Sequence, residues 1–211
     1  MYHYRKEGYQ RRSIRLQGYD YSQEGWYFIT ICCQDRAHLF GEIINGEMIL
    51  NEAGQMIESE WLKLKIRFPN IHCHEYVIMP DHFHAILEII VGTTTIKNTE
   101  KLDNETVGST LVVDHIDGQP QGVAPTTTTT TTTTKTVTVG DIIGAFKSIT
   151  TVEYIRGVKS LGWPPFNKRL WQRNYYEHII RNDLAFWRIT EYIKNNPKSW
   201  EEHQISKKRK K

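Results

Sequence analysis

The stretch Tyr76-Val77-Ile78-Met79-Pro80-Asp81-His82-Phe83-His84-Ala85-Ile86-Leu87-Glu88-Ile89-Ile90 decides how the chain is read. Tyr76 to Met79, aromatic and β-branched, predicts a strand. Pro80-Asp81 kinks the chain, and His82 to Ile90 predicts a second strand. Side chains alternate across a strand, so His82 and His84 share one face while Phe83 takes the other. One face of the sheet then offers two imidazoles, and the opposite face offers an aromatic ring.

Working outward, Trp26 to Cys32 reads as a further strand. Leu39 to Leu50 contains Gly41 and an Asn45-Gly46 turn signal, which predicts a hairpin. Asn51 is placed to cap a helix running to about Lys65, with Ala53, Met56, Ile57, Trp61 and Leu64 as its apolar stripe. Pro69 closes that unit. His72-Cys73-His74 precedes the apolar run and reads as loop. Downstream, Gly140-Asp141 opens an amphipathic helix lined by Ile142, Ile143, Phe146, Ile149 and Thr150. Gly162-Trp163-Pro164-Pro165 predicts a rigid loop, and Leu170 to Tyr176 a short strand or extended segment. Asp183 is the expected cap of a last helix, from Leu184 to about Asn195, which Asn196-Pro197 should end. Strands and helices mixed without a βαβ rhythm predict an α+β fold, an antiparallel sheet with helices packed on one face.

Gly92 to Val139 breaks this pattern. It has little apolar periodicity, and Thr126 to Thr134 is a homopolymer. Such a segment buries too little surface to offset its ordering entropy. The expectation is a single domain with its core at 11–91 and 140–201, a disordered insert at 92–139 and a basic tail at 202–211.

The 211 residues carry 27 Lys+Arg against 24 Asp+Glu, a formal net charge of +3. The distribution is uneven. Residues 1–16 hold five basic groups and one acid, and 17–91 hold four and eleven. Lys207 to Lys211 are all basic. Basic ends around an acidic body call for a polyanionic partner. A chain 39% apolar and 11% aromatic is not disordered throughout. No apolar run approaches the ~20 residues of a membrane span. The first 25 residues hold no continuous apolar stretch, so no secretory signal is expected. Three cysteines, two of them adjacent, make a poor disulfide framework and favour a cytoplasmic setting.

Three groups of residues carry chemistry. His82 and His84 can chelate a divalent metal, with a third ligand supplied from elsewhere. The bland alternative is two unrelated histidines. Tyr192 and Asn196 lie four residues apart on the last helix and so side by side. A phenol can act as a covalent nucleophile and an amide oxygen can ligate a hard metal. The alternative is a boundary tyrosine that packs its ring. Arg11, Arg12 and Arg15 lie near Tyr9, Tyr19 and Tyr21. Lys168, Arg169 and Arg173 lie near Trp171, Tyr175 and Tyr176, and Lys147 joins them as a basic candidate. Arginines contact phosphates and aromatic faces stack unpaired bases. The alternative is a solvated surface over core aromatics.

Met79-Pro80-Asp81-His82-Phe83-His84-Ala85-Ile86-Leu87 resembles the His-hydrophobic-His (HUH) signature of single-tyrosine, IS200-like transposases. Arg12-Ser13-Ile14-Arg15-Leu16 with Gly18-Tyr19-Asp20-Tyr21 resembles the amino-terminal segment of the REP-associated tyrosine transposases. So do Leu170 to Arg181, and Tyr192-Ile193-Lys194-Asn195-Asn196-Pro197 followed by Trp200. The pieces occur in order and span roughly residues 11–91 and 140–201. The insert at 92–139 is a departure, but it removes no site residue.

This resemblance implies a ferredoxin-like fold with the two histidines on a central strand. It implies that Tyr192 is the nucleophile, that His82 and His84 hold Mg or Mn, and that Asn196 supplies the third ligand. The implied activity is DNA transposition. Single-stranded DNA beside a REP-like hairpin is cleaved and rejoined through a 5′-phosphotyrosine that leaves a free 3′-hydroxyl. The implied setting is the cytoplasm, associated with the nucleoid, as a monomer or homodimer. The alternative is a catalytically inactive hairpin-DNA-binding protein derived from a transposase. A hydrolytic metalloenzyme is disfavoured, because no further His or Asp follows at close spacing.

Overall fold

Tyr27, Ile29 and Ile31 are fully buried in strand β1 (Gly25–Cys32), while the residues between them are only partly covered. That period of two is the mark of a strand with one face on a core. The computed structural model describes residues 18–90 and 136–209, with side chains to residue 206. Arg11, Arg12, Arg15, most of the 92–139 segment and the side chains of Lys207 to Lys211 lie outside the described residues.

After β1 come the hairpin strands β2 (Gly41–Ile44) and β3 (Glu47–Leu50). Asn45 and Gly46 turn between them with φ of 54° and 78°, the left-handed pair that a tight hairpin requires. Helix α1 (Glu52–Arg67) follows, its first turn capped by the Asn51 side chain, which accepts from the Gly54 N–H. Then come β4 (Ile71–Met79), β5 (His82–Ile89), α2 (Val139–Ser160), β6 (Tyr176–Ile180) and α3 (Asp183–Arg209). The main sheet is antiparallel with strand order β4-β5-β1-β6. The architecture is therefore α+β, as the sequence predicts. Among the described residues no helix is long and apolar enough to cross a membrane.

Of the three α-helices among the described residues, two share one face of the sheet. Trp61 of α1, Phe83 of β5 and Phe146 of α2 meet there as an aromatic trio, with ring centroids 4.9 and 5.4 Å apart. The third helix is placed differently from the one-face expectation. α3 lies across the opposite face, where Ile193 packs with Ile86 and Ile180. Both faces of β5 are apolar or otherwise buried, so each needs a cover.

Several boundaries also differ from the sequence reading. β4 extends back to Ile71, so His72 and His74 stand on a strand and not in a loop. The pairing of His72 with Glu88 and of Cys73 with Leu87 draws the segment into the sheet. Leu170 to Tyr175 is irregular apart from an isolated bridge of Trp171 with Cys33, just past the end of β1, and the strand proper begins at Tyr176. Asn182, not Asp183, caps α3, since its Oδ1 accepts from the Ala185 N–H at 2.8 Å. α3 runs through Pro197 to Arg209, including part of the expected tail. Proline leaves the Ile193 carbonyl without its helical donor. Packing beyond it keeps the helix going, with Trp200 against His38 at 5.6 Å. At the other edge of the insert, Val139 is already in α2. Thr138 and Asp141 close a capping box, and the Val139 N–H donates to the Tyr21 carbonyl at 3.0 Å.

Candidate active site

Phe83 is fully buried in the trio, which turns its neighbours His82 and His84 to the α3 face. Their rings lie 4.6 Å apart, centroid to centroid. Each is oriented by a hydrogen bond at Nδ1. Asp81 Oδ1 accepts from His82 at 2.5 Å, and Thr30 Oγ1, the cross-strand neighbour on β1, lies 2.8 Å from Nδ1 of His84. With the ring protons on Nδ1, both Nε2 lone pairs stay available. Outer-shell partners of this kind are what hold metal-ligating imidazoles in one tautomer. Phe28 stacks on His84 at 5.3 Å and 24° and fixes the ring plane.

The electrostatics agree. Burial first, then the charges of His82 and Arg36, push the His84 imidazole down to about 3 against a weaker pull from Asp81. His84 is thus a neutral donor at any ordinary pH. Burial acts to raise the Asp81 carboxyl, but the His82 hydrogen bond and charge, with Arg36 and His38, outweigh it and hold the group below its ordinary value. Asp81 is in turn anchored. Arg36 Nη1 lies 3.5 Å from Oδ2, and the Asp81 carbonyl accepts from the Cys33 N–H.

Helix α3 brings the remaining candidates. Tyr192 is 51% exposed and its hydroxyl stands 3.4 Å from Nε2 of His84. Its ring lies edge-on to Phe28 at 6.0 Å. Asn196, one turn further, is 8% exposed, and among the described residues its amide makes no side-chain hydrogen bond. The structure thus gathers His82, His84 and Tyr192 at one place, and Asn196 follows one turn later on the same helix. Two imidazole nitrogens on one face are a donor set that suits a divalent cation, which completes its shell with further oxygen ligands.

Lys147, Lys168, Arg169 and Arg173 come together as well, around a cavity of about 340 Å³ beside Trp171. Lys147 is partly committed there. Its ammonium donates to the Gln172 and Arg173 carbonyls at 2.7 and 3.0 Å, and burial, then Arg169, lowers its pKa. Tyr176 opens β6 beside Thr30 and lies 6.5 Å from Phe28, on the face that carries His84. Sequence reasoning missed Arg36, which pairs with Asp81, and it set aside His72 and His74 as a rival pair in a loop, without the Glu88 that joins them in a second cluster. The signal for the cluster was the same His-x-His spacing, hidden by the reading of that segment as loop.

Comparison with known proteins gives one strong match. An uncharacterized protein of Haemophilus influenzae is 39% identical over 198 residues, which cover 92% of each chain. The chain belongs to that protein's family. No protein-family model matches it. Two solved structures show a looser likeness. A REP-associated tyrosine transposase bound to a REP hairpin aligns with a TM-score of 0.47 at 17% identity, over 88% of this chain and 74% of the other. A provisionally assigned transposase from Deinococcus radiodurans R1 aligns with a TM-score of 0.38 at 14% identity, over 86% and 95%.

Proposed function

We propose that the chain is a metal-dependent DNA strand transferase that cleaves and rejoins single-stranded DNA beside hairpin elements. The observation that carries this reading is the half-exposed Tyr192 hydroxyl, 3.4 Å from Nε2 of a neutral, buried His84 that pairs with His82. The sequence resemblance through Met79 to Leu87, Leu170 to Arg181 and Tyr192 to Trp200 supports it independently.

In this reading His82, His84 and Asn196 hold a Mg or Mn ion. Bound there, the ion supplies Lewis-acid stabilisation of charge on the scissile phosphate. Tyr192 Oη attacks phosphorus. A phosphorus–phenol oxygen bond forms, the bond to the 3′-oxygen breaks, and that oxygen leaves with a proton as a 3′-hydroxyl. The phosphodiester energy is kept in the tyrosine ester, so a 3′-hydroxyl can reverse the step and join strands. His84 is a poor acceptor for the phenolic proton, since its imidazole titrates near 3. The exposure of Tyr192 lets that proton go to solvent. Thr30, Asp81 and Phe28 hold the imidazoles still. Arg36 and the Lys168, Arg169 and Arg173 group supply phosphate contacts.

The test is incubation of the chain with single-stranded hairpin DNA and Mn, read as a protein–DNA adduct on a denaturing gel. The expected adduct is lost in Tyr192→Phe. An adduct that persists in Tyr192→Phe overturns the assignment.

A further inference from the structure

His72 and His74 on β4 and Glu88 on β5 lie at the far end of the sheet face that carries His82 and His84. Glu88 is four residues beyond His84 on one strand, or about 13 Å away at the rise of a β-strand. The two groups cannot share an ion. The cluster of His72, His74 and Glu88 has its own geometry. His74 Nε2 is 2.7 Å and His72 Nδ1 3.7 Å from the same Glu88 oxygen, and one ligand atom from each residue lies within 4.8 Å of the others. A tetrahedral zinc ion with bonds of about 2.0–2.2 Å separates its ligand atoms by roughly 3.3–3.5 Å. The three atoms therefore need only side-chain adjustment, and His72, 65% exposed, is free to swing.

The backbone explains why these side chains converge. A register shift between Cys73 and Tyr76 interrupts the β4–β5 ladder. Cys73 and Tyr76 both pack on the core cluster, so the residues between them turn outward together. His74 meets the Phe186 ring edge-on at 5.3 Å, and Glu75 pairs with Lys194 at 3.7 Å. Glu88 is drawn to the histidines by strand pairing, since it stands opposite His72. His74 is thus held by α3, Glu88 by the sheet, and His72 sits at the rim.

We propose that His72, His74 and Glu88 form a second metal site, distinct from His82 and His84. It takes a borderline transition cation of the zinc class. Two imidazoles and one carboxylate suit such an ion better than Mg or Mn, and three protein ligands leave one position open to water. Because Phe186 belongs to the helix that carries Tyr192, an ion here ties the start of α3 to the β4–β5 edge.

The test uses the tag-free full chain with His82 and His84 both changed to Ala, so that the other site is silent. Zinc alone is titrated, read by calorimetry and by the shift in thermal unfolding. The expected result is one zinc per chain and a raised unfolding temperature. Glu88→Gln and His72→Ala in that background should each weaken binding by roughly tenfold or more, the scale seen already for loss of an outer-shell partner. His72→Ala alters an exposed side chain, so it reports on binding with the fold intact. No zinc bound at one equivalent, or binding unchanged in both variants, overturns the proposal.

Discussion

The Tyr192 hydroxyl lies 3.4 Å from His84 Nε2, although 108 residues separate the two in the chain. The contact is long and half-exposed, so it contributes little to the fold. Tyr192→Phe should shift unfolding free energy by less than about 1 kcal/mol. Urea unfolding of the variant, set beside its adduct assay, separates the two roles. A large loss of stability would show that the hydroxyl is structural.

Asp81 orients His82 through the 2.5 Å hydrogen bond. Asp81→Asn should weaken Mn binding by about 10–100-fold, the scale of an outer-shell loss. Calorimetric titration of Mn measures it. Unchanged affinity would mean that His82 is held by packing alone.

The His84 imidazole, depressed to about 3, sets a sign for acid stability. In the unfolded chain a histidine titrates near 6.5. As pH falls below about 6.5 the unfolded chain takes up this proton and the folded one does not, until pH nears 3. Metal-free protein should therefore lose stability over that window, by up to about 1.4 kcal/mol per pH unit from this group. Urea unfolding at pH 7 and pH 5, for the wild type and His84→Gln, isolates the contribution. A wild type no more acid-sensitive than the variant would rule it out.

Phe83 closes the aromatic trio with Trp61 and Phe146 and is fully buried. Phe83→Ala should cost about 3–5 kcal/mol, the range for deleting a buried aromatic. Denaturant midpoints give the value. A cost below about 1 kcal/mol would show that the core collapses to fill the space.

Lys147 and Arg169 border one cavity but should behave differently. Lys147 ties two backbone carbonyls, so Lys147→Met should destabilise the fold by about 1–3 kcal/mol. Arg169 should instead weaken single-stranded DNA binding when changed to Ala and lower the salt slope by about 0.7, one phosphate contact. Binding measured across salt concentrations distinguishes them. An unchanged slope would remove Arg169 from the interface.

The elements legible in the sequence were those with strict local signals. Asn51 caps α1, Asn45-Gly46 turns the hairpin, and the alternation around Phe83 set the two imidazoles on one face. The misplaced features depend on contacts far along the chain. His72 and Cys73 become strand residues because Glu88 and Leu87 pair opposite them, and His74 follows at the register shift. β6 forms at Tyr176 because Thr30 stands across from it. Pro197 reads locally as a stop, and the docking of Trp200 on His38 overrides that signal. The side taken by α3 was equally hidden, since it depends on which sheet face α1 and α2 leave open.

For the site itself, spacing alone placed the histidine pair and the tyrosine–asparagine pair each on one element. That Tyr192 of the second pair meets His84 of the first is a fact of tertiary structure. So is the neutrality of His84, which comes from burial that no local pattern encodes.

The alternation through His82, Phe83 and His84 makes the strand a parity device. Deleting or inserting one residue between Met79 and Ala85 would send the imidazoles into the aromatic core and the phenyl ring to the α3 face, losing fold and chemistry in one event. Substitution can explore this strand, but length change cannot. β4 shows how such a change can be absorbed. Its extra residue sits between Cys73 and Tyr76, past the stretch that faces the histidine pair, so the parity is broken where His74 and Glu75 can both use the same side.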